Sequence, residues 1–100
     1  MAVEVSIDDL AREIAAGSYV LDVRENDEWA EGHVPTAHHI PLGELEARID
    51  EVEDGGRVFV ICRSGARSQK GADILFNNGL DAVSVAGGTL GWIASGRDVE

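Results

Sequence analysis

Three short apolar runs constrain this chain more than anything else in it: "YVLDV" at 19–23, "RVFVI" at 57–61 and "AVSV" at 82–85. Runs of four or five residues rich in Val and Ile read as buried strands, too short for core helices. Helix-like sequence fills the gaps between them. "SIDDLAREIAAG" has Ser6 as N-cap, Asp9 three residues on, Ile7, Leu10 and Ile14 on one face, and Gly17 as the stop. "NDEWAEG" predicts a short helix capped by Asn26 or Asp27 and ended by Gly32. "GELEARIDEV" predicts an amphipathic helix with Leu45, Ile49 and Val52 inward. From about Arg67, "RSQKGADILFNNG" predicts another, with Ala72, Leu75 and Phe76 inward and Asn78-Gly79 as terminator.

Two weaker strands complete the pattern: "VEVS" at 3–6 as an edge, and "AHHI" at 37–40, closed by Pro41. The Gly-rich "AGGTLGWIASGRDVE" reads as a tail whose glycines let Trp92 fold back onto the core. Short strands alternating with helices predict an α/β domain, a central mostly parallel sheet of about five strands with helices on both faces. One hundred residues without linker, repeat or low-complexity segment predict a single domain over 1–100. Five aromatics leave the core to Val, Leu, Ile and Ala.

Charge and cysteine usage narrow the classes of function. A formal net charge of −11 argues against nucleic acid or an anionic membrane as partner, because both present phosphates that need Lys and Arg. The longest bulky apolar run, 58–62, is far short of a bilayer span, and "MAVEVSIDD" lacks the basic and apolar regions of a signal peptide. One cysteine permits neither an internal disulfide nor a cysteine-based metal cluster, so the expected setting is the reducing cytoplasm.

That cysteine, Cys62, falls where the strand 57–61 ends and a helix is about to begin, the junction at which parallel sheets collect functional residues. Arg63, Arg67 and Lys70 are three of only eight cations, and no acid lies between Asp54 and Asp73. A basic loop in so acidic a chain is suited to receive an anion. The thiolate is the nucleophile, and a free thiol titrating at about pH 8.5 supplies little of it at neutrality. Amides of a Gly-containing turn, a helix N-terminus and two guanidinium groups would each favour the charged form. Gly65 suits a tight turn that lets a substrate approach.

At these residues the chain resembles the single-domain rhodanese family along nearly its whole length. "LDVRENDEWAEGHVPTAHHIPLGEL" is similar to the family's first signature, "VFVICRSGARSQKGADILFNNGL" to its active-site strand, loop and helix, and "VSVAGGTLGWIASGRDV" to its closing segment. Thr36 and His39 depart from the family's usual Gly and Asn in the turn "GHVPTAHHIP". The resemblance implies a rhodanese-like α/β fold and a thiosulfate sulfurtransferase with Cys62 as the persulfide-forming residue. The amides of Arg63, Ser64, Gly65, Ala66 and Arg67 would cradle the sulfur, and the side chains of Arg63 and Arg67 would attract a small anionic donor. A thiol, cyanide or a carrier protein would accept the sulfur. The alternative is a module that keeps the loop for persulfide sensing or docking without turnover. Related folds acting on phosphoesters or arsenate place Arg six positions after Cys; here Arg67 is five positions on and Ser68 is sixth.

Other residues carry less. Asp22 and Arg24, two apart at a strand end, leave on one face and read as a structural ion pair or hydrogen-bonded pair, with orienting a neighbouring loop or shaping the site's rim as the alternative. His38 and His39 would point to opposite faces of a strand, and His33 lies across a proline turn, so no metal is expected. "AGGTLGW" fits no dinucleotide or P-loop pattern, so no cofactor is expected either.

Overall fold

The computed structural model describes residues 2–100. Five parallel strands form one sheet in the order β1-β5-β4-β2-β3. They are β1 (Glu4–Val5), β2 (Tyr19–Asp22), β3 (His38–His39), β4 (Val58–Ile61) and β5 (Ala82–Val85). The helices are α1 (Ile7–Ala15), α2 (Asn26–Glu31), α3 (Ala66–Asn77) and α4 (Gly88–Ala94). The central strand β4 pairs with β2 from Tyr19↔Val58 to Asp22↔Ile61, and with β5 from Val58↔Ala82 to Val60↔Ser84.

The two-residue period of β4 divides the core. Val58, Val60 and Cys62 face α3, joining Leu21, Val23, Ala72 and Leu75. Phe59 and Ile61 face the other way, onto Leu10 of α1 and Trp92 of α4. In β5, Val83 and Val85 belong to the second face, so Ser84 is directed with Ala82 toward α3. Both faces of the three inner strands are covered, which is why these runs are apolar throughout rather than alternating.

The capping box of α1 forms: the Asp9 amide donates to Ser6 Oγ at 3.0 Å and the Ser6 amide to Asp9 Oδ2 at 3.3 Å. At α2 the N-cap is Glu25, not Asn26 or Asp27; its amide donates to Glu28 Oε1.

Three further expectations are corrected. The stretch 43–52 is not a helix but two 3-10 turns, Leu42–Glu44 and Ile49–Glu51. Asp50 and Glu51 would stand at the negative end of a helix dipole. A segment of this length needs tertiary packing to stay helical, and burying Leu45 and Val52 through turns satisfies the core instead. Phe76 is not inward; it is 71% exposed. The Gly-rich segment is not an irregular tail but contains α4, whose Trp92 is buried and donates through Nε1 to Asp98 O at 2.8 Å.

Candidate active site

Cys62 follows the last residue of β4 and lies on the carboxyl edge of the sheet. The chain reverses through residues 63–65 and enters α3 at Ala66, with Gly65 as N-cap at φ 121°. That conformation belongs to glycine, since a Cβ would be strained there. The turn brings the Gly65 amide to 3.1 Å from Cys62 Sγ, and the first turn of α3 brings Ser68 Oγ to 3.4 Å. Burial opposes a charge on this sulfur. Hydrogen bonds from the Ser68 hydroxyl and from the Ser68, Gly65 and Ser64 amides outweigh it and hold the thiol below its ordinary pKa.

The loop is itself held from outside. At the start of α4 the Thr89 amide donates to Cys62 O at 2.8 Å and the Leu90 amide to Arg63 O at 3.1 Å. This approach requires Gly88: a Cβ there would lie 2.5 Å from both Cys62 O and Arg63 O. The Gly-rich segment therefore does more than return Trp92 to the core. It fixes the two peptide units beside the sulfur through the Thr89 and Leu90 amides.

The predicted loop residues come together around the sulfur with different parts to play. Arg63 and Ser64 are exposed, and Arg63 has no ion-pair partner among the described residues. Ala66 opens α3 and is exposed. Arg67 turns toward α2, where Nη1 and Nη2 donate to Glu28 Oε1 and Oε2 at 2.7 and 2.8 Å. This two-pronged bond to Arg67 is the main reason the Glu28 carboxyl falls to about 2. The charge of Arg67 is thereby largely offset, leaving Arg63 as the outward cation of the loop. Glu28 was not singled out in the sequence because its partner is distant along the chain.

Asp22 and Arg24 form a buried pair at 2.9 Å. Arg24 goes on to donate to Glu28 O at 3.1 Å and Gly32 O at 2.8 Å, stitching the end of β2 to α2. The ion pair is the one expected from their spacing. The histidines are engaged elsewhere. His38 stacks on Tyr19 at 4.3 Å, while His33 and His39 stack on Trp29 at 3.5 and 4.7 Å. His39 Nε2 also donates to Arg24 O at 2.7 Å.

One feature departs from what a freely reacting thiol calls for: Cys62 is only 1% exposed. Residues 63–65 fold over it and the apolar α3 face lies beneath. Next to the loop is a cleft of about 110 Å³ whose walls include Arg63, Glu31, Thr89, Leu90 and Ile93. The Thr89 hydroxyl is buried without a partner among the described residues. A larger cavity, about 590 Å³, lies beside Arg57, Phe76 and Asp81 at the amino edge of the sheet, the opposite end from Cys62.

Fold and site together define a parallel α/β domain that presents a cysteine in an amide-lined loop between strand and helix. The chain belongs to the rhodanese-like domain family, whose model matches residues 6–95. It is 36% identical over 91 residues to a candidate sulfurtransferase of Bacillus subtilis, YtwF, covering 89% of this chain and 88% of that one. It is 31% identical over 102 residues to a sulfurtransferase of Allochromatium vinosum, covering 99% and 95%. Other curated relatives are longer, and the chain spans 40% of one and 23% of another. Among solved structures it is similar to a rhodanese-related protein of Thermoplasma volcanium, with TM-score 0.91, 35% identity and coverage of 98% and 97%. Among the described residues no helix is long and apolar enough to cross a membrane.

Proposed function

We propose that the chain is a sulfurtransferase that carries a sulfane sulfur on Cys62, from a small anionic donor of the thiosulfate kind to a nucleophilic acceptor. The observation that carries this reading is the ring of polar groups around one sulfur: the Gly65 amide donating at 3.1 Å and the Ser68 hydroxyl at 3.4 Å, with the Ser64 and Ser68 amides beside them. These groups favour the thiolate, and they serve equally well for the terminal sulfur of a persulfide anion.

In the first step the Cys62 thiolate attacks the donor's outer sulfur. A new S–S bond forms, the donor's S–S bond breaks, and sulfite leaves with the electron pair. In the second step an acceptor thiolate, cyanide or a carrier-protein nucleophile attacks the terminal sulfur and Cys62 leaves as thiolate. This is covalent catalysis in two half-reactions. Arg63, the outward cation, draws the donor in, and Thr89 offers its unpartnered hydroxyl to the donor's oxygens. With the carbonyls of Cys62 and Arg63 pinned, access to the sulfur opens through residues 63–65. A lone thiol that must stay reduced suits the cytoplasm.

The 1% exposure of Cys62 favours a second reading, a module that holds a persulfide and releases it only to a partner that opens the loop. Mass spectrometry after incubation with thiosulfate separates the two. The expected result is a gain of one sulfur atom, absent in Cys62→Ser and discharged by cyanide as thiocyanate. A loaded protein that neither cyanide nor a small thiol discharges supports the second reading, and a protein that never loads refutes both. Hydrolysis of a phosphate ester would overturn the loop-length argument.

A further inference from the structure

We propose that Ser84 of β5 is a positioning residue for Cys62, acting through Ser68 to favour the charged form of the sulfur. Ser84, Ser68 and Cys62 are 0%, 0% and 1% exposed and are linked in sequence by hydrogen bonds. Ser84 Oγ is 2.7 Å from Ser68 Oγ, which is 3.4 Å from Cys62 Sγ and 3.0 Å from Gly65 O. A hydroxyl on an inner strand of an apolar sheet is costly unless it is bonded, and Ser84 meets that cost through Ser68 alone among the described side chains.

The direction of each bond follows from counting protons. Ser68 has a single hydroxyl proton, and with the thiol neutral it is given to Gly65 O. The short bond between the serines is therefore donated by Ser84. The S–H of Cys62 is donated to the same Ser68 oxygen, so two donors share one acceptor and each weakens the other. When Cys62 loses its proton, the sulfur only accepts. Ser68 then turns its proton from Gly65 O to the sulfur. Now Ser84 donates to a hydroxyl that is itself donating to an anion, and the two bonds reinforce each other. Ser84 thus competes with the neutral thiol and supports the thiolate, and both effects act in the same direction.

The charged groups around the sulfur do not substitute for this device. Arg63 is outward on the loop, and Arg67 is bonded to Glu28 of α2. Asp22 at the end of β2 and Arg24 just after it are bonded to each other, and residues 82–94, which include β5 and α4, contain no charge.

The role of Ser84 in turnover rests on the proposed function, but its effect on the sulfur does not. The test therefore reads ionisation directly, by the far-ultraviolet absorbance of the thiolate across pH with Cys62→Ser subtracted. Ser84→Ala is expected to lower the thiolate fraction roughly fivefold at a pH below the midpoint, the scale of one hydrogen bond. Ser84→Thr is expected to restore it. In a Ser68→Ala background Ser84→Ala is expected to add nothing. An unchanged titration in Ser84→Ala, or an equal change with Ser68 absent, overturns the proposal. Should Ser84→Ala fail to fold, Ser84→Thr against Ser84→Val gives the same comparison with hydroxyl exchanged for methyl and no cavity. A protein that shows this coupling but does not load sulfur would refute the transferase reading and leave the Ser84 relay standing; the reverse result would do the opposite.

Discussion

Replacing Gly88 with alanine separates two reasons for which a glycine can be required. A Cβ at this position would lie 2.5 Å from Cys62 O, 2.5 Å from Arg63 O and 2.6 Å from the Arg63 carbonyl carbon. All three are backbone atoms, so no side chain can swing away and the loop itself must shift. Overpacking of this kind costs about 1–3 kcal/mol, and the positive φ of 57° adds about 1–2 kcal/mol for any residue with a Cβ. The total, about 2–5 kcal/mol, is a large part of the 5–15 kcal/mol that holds a typical domain together. Gly96 provides the control: its φ is 84°, yet nothing lies within 4 Å of its would-be Cβ. Gly96→Ala is expected to lose only the backbone part. Urea denaturation of both variants measures the difference, and thiosulfate loading measured where each is still folded reads the loop. Gly88→Ala should lose loading because the Thr89 and Leu90 amides can no longer hold the carbonyls of Cys62 and Arg63. Equal stability losses in the two variants, or full loading by Gly88→Ala, would refute the view that α4 clamps the loop.

The pair of Glu28 with Arg67 makes stability depend on acid. With the folded Glu28 carboxyl lowered from 4.5 to about 2, the pair's contribution is complete above pH about 4.5 and is lost as pH falls toward 2. Allowing for solvent screening of a pair that is 34% and 21% exposed, Glu28→Gln should remove about 1–2 kcal/mol at neutral pH and flatten acid denaturation across that window. Asp22→Ala strands the guanidinium of Arg24 in the interior and should cost about 3–5 kcal/mol by urea denaturation. Arg63→Ala should weaken capture of thiosulfate while sparing transfer from an uncharged persulfide donor, measured as separate rates of loading. Raising the salt concentration should mimic Arg63→Ala yet leave the ionisation midpoint of Cys62 in place, since short buried hydrogen bonds are little screened.

The features legible in the sequence are those set by neighbours along the chain. The capping box of Ser6 and Asp9, the apolar strand ending at Ile61, the loop beginning at Cys62 and the stop at Gly79 all depend on residues a few positions apart. What was not legible depends on contacts across the fold. Residues 43–52 carry a helical apolar pattern, but three apolar side chains do not choose between a helix and successive turns. Phe76 has the right spacing to face inward alongside Ala72 and Leu75, yet those two fill the core and Phe76 lies on the surface. The glycines at 87, 88 and 91 lower helix propensity enough to hide α4. Gly88 is required by its close contact with the loop, and a Cβ on Gly91 would lie 3.3 Å from the Ile7 side chain of α1. Ser84 could have been noticed as the one polar residue in β5, but a serine in a short strand says nothing of its partner until the register Val60↔Ser84 is known.

The partition of charge at the site changes how its chemistry is understood. From the sequence, turn amides, a helix N-terminus and the two guanidinium groups all look like groups that hold the sulfur anionic. In the folded chain one of them, Arg67, is matched by Glu28, and the other, Arg63, faces outward. The contacts on Cys62 are amides and hydroxyls, which stabilise an anion through fixed dipoles without placing a full positive charge against it. A cation in direct contact would hold the thiolate tightly and lower its nucleophilicity, whereas dipoles already oriented by the turn can serve the thiolate and the persulfide without rearranging. The net acidity of the chain and the basicity of its loop are then compatible. Arg63 acts on the approach of an anion, and the backbone and serines act on the sulfur once it has arrived.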